Sequence, residues 1–462
     1  MKEHIQNEQP TTGRRRQSPS NLARKAILAA GAVVLVCAAV ALLFHDSLLN
    51  TFIKPKITQG LAEAYPAYSI RIAGLSYGIL RDRVELDSVT VHARDGTFSS
   101  STDRVAVSGI GWMHLLWGGS LTPEDFTHSV VDAHEVVLNF PRSQNELRCT
   151  TLRVSVPDSA MALEGLALHP SGNDDHFFAE SDFSRTRFRL VVPTARVMGV
   201  AFLDLVRGKS YRARSAHLRD ASLDVLINKD KVNNKDTSRI SMPSEILSSI
   251  EGALQIDSLI IVNGQLNYGE RMTFGRKPAL ITFEDMQVLV VGIANRGYPD
   301  ASVVLRARGK FMRAGKMSLL MSIPVGSRDF SFTYSGSLGE MNLSALNPFL
   351  ETAEEMRITA GVLQGATFDI RVVSGRASGD VKAEYRDLTL AAMDRLTGSQ
   401  DGLGDVLKSF VANNFTIRGS NSAGQPGSLK IGEVAYTLKR DDVFLKFAWF
   451  ALRSGVGDVV GF

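Results

Sequence analysis

The residues best suited to chemistry are few and scattered. Of the nine histidines, only His128 and His134, with Asp132, approach a ligand set. On a strand these three positions share one face, and imidazole plus carboxylate suits a divalent metal. They read instead as a hydrated strand face. Asp174, Asp175 and His176 read as a solvated, charged loop tip. There is no G-x-S-x-G nucleophile turn, no H-E-x-x-H and no phosphate-binding glycine loop. Gly361, Gly365, Gly375 and Gly379 are spaced too widely to cradle phosphate. Cys37 and Cys149, the two cysteines, have no metal-ligand spacing. The sequence points away from an enzyme, and no cofactor or metal is expected.

The elements that would position any site begin with the run Ala26–Phe44, AILAAGAVVLVCAAVALLF. It carries no charge and no proline. As a helix it would be roughly 28 Å long, close to the apolar thickness of a bilayer. Arg14, Arg15, Arg16, Arg24 and Lys25 precede it and place the N-terminus in the cytoplasm by the positive-inside rule. It reads as a single-pass anchor with ends at Ala26 and Phe44. Ala39-x-Ala41 offers signal-peptide cleavage as the alternative. The formal net charge is +4, and the whole excess falls in residues 1–25. The remainder is neutral, which excludes the basic face of a nucleic-acid binder.

Residues 47–65 have apolar residues at helical spacing, and Pro55 is expected to kink or split that helix. From Tyr68 the period becomes two. Val84 and Leu86, then Val89 and Val91, alternate with polar residues, with one change of phase at Asp87–Ser88 that reads as a bulge or tight turn. The clearest strands cover 301–311, 316–323 and 329–335, an antiparallel meander with one apolar face and one wet face. VELDSVTVHARDG at 84–96 is loosely echoed by LQIDSLIIVNGQL at 254–266. Residues 171–186 and 228–241 read as polar loops, and short helices are expected at 201–207 and 243–250. Trp112 and Trp117, in SGIGWMHLLWGG, suit either an interfacial anchor or a short core helix. Helices are so few between Tyr68 and Asn342 that the one-sided strands must meet another sheet, close on themselves, or meet something that is not protein.

The last 120 residues differ. Asn347-Pro348 starts a helix over 349–356, with strands expected at 366–373, 381–390 and 429–438. Val406, Leu407, Phe410 and Val411 make a helical stripe within 404–415. A final helix over 443–452 carries Phe447, Trp449 and Phe450, with Gly455 placed to cap it.

VKAEYRDLTL, VLKSFVANNFTIRGSN and FLKFAWFALRSGVGDVVG, with an N-terminal span leading into YSIRIAGLSYGILRDRVELDSVTVHARDG, resemble the AsmA-like family of bacterial inner-membrane-anchored envelope proteins. The resemblance implies a mainly β chain with a few helices: a transmembrane helix, then a long curved antiparallel sheet forming an apolar groove, with helices near the C-terminus. It divides the chain into a disordered cytoplasmic tail (1–25), the anchor (26–44), a periplasmic β-groove region (45–340) and an α+β region (341–462). It implies handling of phospholipid, or another acyl-chain lipid, between inner and outer membrane. The implied partners are lipid, the inner membrane and envelope proteins, with no nucleic acid. Some 22 strands at about 4.8 Å each would extend on the order of 100 Å. The lipid-facing candidates are the apolar phase of the central meander: Val303, Leu305, Met317, Leu319, Met321, Phe330, Phe332 and Tyr334. A charge at Leu305 or Phe332 is expected to block passage and leave the chain folded. The rival reading is an anchored β-sandwich that acts as a non-transporting scaffold for envelope assembly, since soluble β-domains cover their own apolar faces.

Overall fold

The computed structural model describes residues 47, 49–78, 82–109, 126–206, 210–232, 252–273, 275–296, 301–325, 329–392, 418–423, 429–439, 442 and 444–461. The membrane-anchor run with its ends Ala26 and Phe44, the pair Trp112 and Trp117, and the helices expected at 243–250 and 404–415 lie outside them. Among the described residues no helix is long and apolar enough to cross a membrane.

The protein is mainly β, with one curved sheet of 18 strands. A π turn over Leu49–Ile53 leads into α1 (Lys54–Ala64), so the expected juxtamembrane helix is split, and Pro55 stands in the first turn of its second part. A proline is harmless there, because first-turn N–H groups have no helical acceptor. Seven strands follow: β1 (Tyr68–Gly78), β2 (Arg83–Ala93), β3 (Ser99–Ser108), β4 (Val130–Phe140), β5 (Asn145–Ser155), β6 (Ala160–Pro170) and β7 (Thr186–Met198). Between β6 and β7 the expected loop contains the short helix α2 (Asp174–Ala179), capped by the Asn173 side chain accepting from the His176 N–H at 2.8 Å. The short helix α3 (Phe202–Val206) falls where the sequence places one.

Next come β8 (Ser210–Arg219) and β9 (Ser222–Asn228), which lie in line as one bent strand beside β7. Then β10 (Ala253–Arg271) runs parallel to both. This corrects the all-antiparallel expectation: the sheet is mixed. The reason is in the connection. Asn228 ends β9 beside Arg271, the last residue of β10, so the chain must travel back the length of the sheet before β10 can begin.

The meander resumes with β11 (Ala279–Ala294), β12 (Ser302–Phe311), β13 (Gly315–Pro324), β14 (Phe332–Leu338) and the two-residue β15 (Met341–Asn342). Helix α4 (Asn347–Ala353) precedes β16 (Met356–Val373), β17 (Arg376–Ala392), β18 (Ile431–Thr437) and the C-terminal helix α5 (Phe444–Val460). Because β14 and β15 both pair with β16, the sheet passes without a break into the C-terminal region. The strands β16 and β17 are longer than the expected 366–373 and 381–390, and β16 absorbs register irregularities near Ala360 and Gly365. Gly455 does not cap α5. It lies in its middle, where a Cβ would stand 2.6 Å from Val381 and 2.8 Å from Val434, so a glycine is what lets helix and sheet meet this closely.

With β8/β9 sharing one rank and β14/β15 another, the 18 strands make sixteen ranks. At about 4.8 Å apart these span on the order of 70 Å, shorter than the sequence-based extent. Both edges have some of their free backbone groups tied by side chains of neighbouring helical segments. At β1, Asn50 accepts from the Leu75 N–H at 2.9 Å and donates to the Leu75 carbonyl at 2.7 Å, and Lys54 donates to the Ala73 carbonyl at 2.9 Å. At β18, the Glu433 N–H donates to Asp458 at 2.9 Å and the Ala435 N–H to Ser454 at 3.2 Å. Edge N–H and C=O groups tied in this way offer no template for a further strand.

Candidate functional site

Side chains alternate along a strand, so the register shows which residues share a face. Leu75 opposes Leu86, Leu86 opposes Val105, Val105 opposes Ala133 and Ala133 opposes Leu152. A few residues along, Ile72 opposes Val89 and Val136 opposes Cys149. Within each strand the step between these sets is three residues rather than two. The apolar phase therefore switches parity in the middle of β1, β2, β4 and β5, at the same height. Left-handed residues mark the switch in many strands: Ser88, Glu135, Gly165, Asp220, Asn263 and Asp285. Such a residue swaps the faces of the side chains that follow and bends the strand. Repeated across neighbouring strands it creases the sheet, so both halves turn their apolar sides inward. Gly165 shows why a small residue is used there: a Cβ would meet the Thr150 hydroxyl at 2.5 Å.

Followed through the registers, this inner face continues as Leu152–Leu163, Leu163–Ala195, Ala195–Leu218, Leu218–Ile261, Ile261–Val288 and Val290–Leu305. It then reaches Met321, Tyr334, Ile370 and Val434. One apolar face thus runs the length of the sheet. The outer face carries Arg71, Glu85, Arg104, Asp132, Arg153, Arg196, Arg306 and Asp380, and is mostly polar, with apolar exceptions at Leu226, Leu289, Val304 and Leu320.

Coverage of the inner face changes along the chain. In β2–β6 the inner residues Val89, Val91, Val105, Val131, Leu138, Leu152, Leu163 and Leu168 are half-buried while Val84, Ala93, Ala133 and Cys149 are buried, and among the described residues no second sheet lies over them. In β14–β18 the same face is sealed by α5. Phe447, Ala451 and Val459 are fully buried there, against Phe332, Ile370, Val381 and Val434. The Phe330 ring lies 4.9 Å from Phe447 and the Phe332 ring 4.8 Å from Phe444. Tyr334 donates to the Ala448 carbonyl at 2.8 Å, and burial pushes its phenol well above its ordinary pKa. Polar clips hold α5 in place: Asp442 accepts from Tyr436 at 3.0 Å, and Lys430 pairs with Asp458 at 2.6 Å.

The eight sequence-chosen candidates do share the inner face, but their surroundings differ. Phe332 and Tyr334 are 2% and 4% exposed beneath α5, and Met321 is buried in the same cluster. Phe330 precedes β14 and packs on α5. Val303, Leu305, Met317 and Leu319 are half-buried. A charge at Phe332 would therefore strike the fold before it struck any passage. Sequence reasoning missed the broader inner face of β1–β10. Its signal was present in the one phase change recognised at Asp87–Ser88, which recurs in strand after strand.

The polar candidates lie elsewhere. Asp132 and His134 are on the outer face, at a shallow cavity of about 360 Å³ lined also by Arg83, Thr151, Arg153 and Glu164. Asp132 is held by Arg153 at 3.1 Å and Arg83 at 3.7 Å. His128 lies in the turn before β4. Asp175 and His176 are exposed, as in a solvated charged tip, and the two aspartates also make ion pairs. Asp174 binds Arg187, which is 4% exposed, and Asp175 binds Arg271 at 3.0 Å, with Arg271 stacked on Phe178. Together they clasp α2 to the outer face where β9 meets β10. Among the described residues no cluster of His, Cys, Asp or Glu could hold a metal ion. No protein-family model matches the chain, and no curated protein matches it.

Proposed function

We propose that this chain handles lipid in the bacterial envelope, as an inner-membrane-anchored periplasmic protein that shelters the acyl chains of phospholipid along an apolar β-groove. The observation that carries this reading is the inner face itself. It is apolar from β1 to β13, creased so that both halves turn inward, and uncovered among the described residues over β2–β6. Apolar surface left in water is costly, and each CH₂ buried on it contributes roughly 0.8 kcal/mol. A lipid tail is a natural cover, and neighbouring positions along the face are nearly equivalent, so sliding needs no nucleotide. The run Ala26–Phe44 and the arginines before it supply the anchor and its orientation.

The test is native mass spectrometry of gently extracted full-length protein. Co-purifying phospholipid is expected. Protein that emerges without lipid from every mild extraction would overturn the reading. Topology is tested separately by an export-dependent reporter fused after Phe462, which should be active; activity from a cytoplasm-dependent reporter there would refute the orientation.

One observation favours the scaffold reading instead. The outer side of α5 exposes Leu445, Trp449 and Val456, at 62%, 41% and 40%, an apolar stripe suited to a protein partner. The two readings separate at the inner face of β2–β6, which a scaffold has no need to keep apolar.

A further inference from the structure

Phe52 is the most exposed aromatic side chain among the described residues, at 62%. It stands in the π turn Leu49–Ile53, just before α1. Its neighbours fix which way it points. Asn50 and Lys54 both bond to backbone groups on the free side of β1, the strand that ends the sheet and pairs with β2 on its other side. Phe52 lies two residues from each of them, about half a turn of helix. Lys56 lies two residues beyond Lys54. Both Phe52 and Lys56 therefore turn away from the sheet, and both are exposed. The later apolar side chains of the stretch, Ile53, Ile57 and Leu61, are half-buried, so Phe52 is the apolar exception.

Two features of the chain say what covers it. The apolar run Ala26–Phe44 ends five residues before Leu49, a reach of at most about 18 Å even when fully extended. Residues 47–62 contain Lys54 and Lys56 and no acidic residue. A large apolar side chain among lysines settles at the boundary between lipid headgroups and acyl chains, where phosphates meet the cations. We propose that the π turn and α1 seat the first rank of the sheet end-on against the bilayer that holds the run Ala26–Phe44, with Phe52 in the headgroup–acyl boundary and Lys56 among the phosphates. This rests on the membrane-anchor part of the reading above and adds a contact to it. Because Asn50 and Lys54 tie the seat to β1, the first rank stays at the leaflet, and a lipid tail passing between leaflet and inner face crosses little water.

The test places an environment-sensitive fluorophore on the full chain in vesicles of phosphatidylethanolamine and phosphatidylglycerol. The label sits at Phe52→Cys or, as control, at Leu445→Cys on α5, which is equally exposed at 62%. Both carry Cys37→Ser, and the remaining Cys149 is buried. The label at 52 should be quenched by lipids bearing a nitroxide near the glycerol and shielded from aqueous iodide, with an iodide quenching constant several-fold below that at 445. The label at 445 should show the reverse. Circular dichroism of both proteins should match wild type, because both sites are exposed. Protein that stays in the vesicles through an alkaline wash, with the label at 52 open to iodide, would overturn the seat and leave the anchor intact. A label at 52 shielded from both quenchers would mean that a second copy covers Phe52, and a label at 445 quenched equally by lipid would mean that the sheet lies along the bilayer; either overturns the seat. Protein stripped off by the wash would overturn the anchor reading, and the seat with it.

Discussion

The sheet has one apolar face and two ways of treating it. Over β14–β18 the chain supplies its own cover, and α5 brings Phe332, Ile370, Val381 and Val434 to 2% exposure or less. Over β2–β6 the same face, built by the same alternation, leaves most of its larger side chains half-buried, with only Val84, Ala93, Ala133 and Cys149 buried. The difference lies in the covering element and not in the strands. It teaches that the C-terminal end is a conventional core, whose stability comes from packing, while most larger inner residues of the N-terminal end are only half-buried among the described residues.

The largest effect should come from charging the face at each end. Phe332→Asp should cost more than about 4 kcal/mol, the cost of an unpaired buried charge against aromatic neighbours. Leu152→Asp should cost about 1 kcal/mol or less and abolish lipid uptake. Urea unfolding followed by circular dichroism, with uptake measured on the same samples, checks both. Equal destabilisation at the two sites would erase the distinction between the regions.

Truncation should sharpen it. Phe447 is fully buried, so Phe447→Ala should cost about 3–5 kcal/mol. Val89→Ala, half-buried on the open face, should cost about 1 kcal/mol or less by its smaller lost area. A large loss at Val89 would mean that this region has a cover after all.

The ranks next to the open region, β7–β10, are held partly from outside. Asp174→Ala leaves the buried Arg187 with Asp224 alone, at 2.6 Å, and should cost about 2 kcal/mol, below the full cost of breaking a buried pair because one partner remains. Hydrogen exchange should rise at β7–β10 and not at β16–β18; an unchanged pattern would show that the clasp is dispensable.

The smallest effect concerns pH. Hydrogen bonds from Lys430 and the Glu433 N–H hold the Asp458 carboxyl below its ordinary value. A carboxyl with a lowered folded-state pKa contributes stability that is present above the unfolded value, about 3.9, and is lost as pH falls through the folded one. Below about pH 4, α5 should therefore loosen slightly, seen as a change in Trp449 fluorescence, and Asp458→Asn should remove that step. The same step in Asp458→Asn protein would assign it to another carboxyl.

Much of this was legible in the chain, and the misses have physical causes. The alternation at 301–335 fixed strands and their apolar phase, because period two has one structural meaning. The Asp87–Ser88 phase change was legible as a local irregularity. Its role was not, since a crease exists only when bulges align across strands far apart in sequence. The echo between 84–96 and 254–266 fixed no repeat length, and the left-handed residue is Ser88 in the first and Asn263 in the second. Gly455 read as a helix cap because caps are local, whereas its partners Val381 and Val434 are distant.

Composition and periodicity by themselves determined that this chain is mainly β, that its strands have one apolar side, and that few helices are available to cover them. These are properties of neighbouring residues, and short-range sterics and solvation set them. Only the tertiary structure decided that the sheet is one continuous, mixed and creased face and that α5 closes its last ranks. Each of those depends on register, and register is a relation between residues that the chain brings together only when it folds.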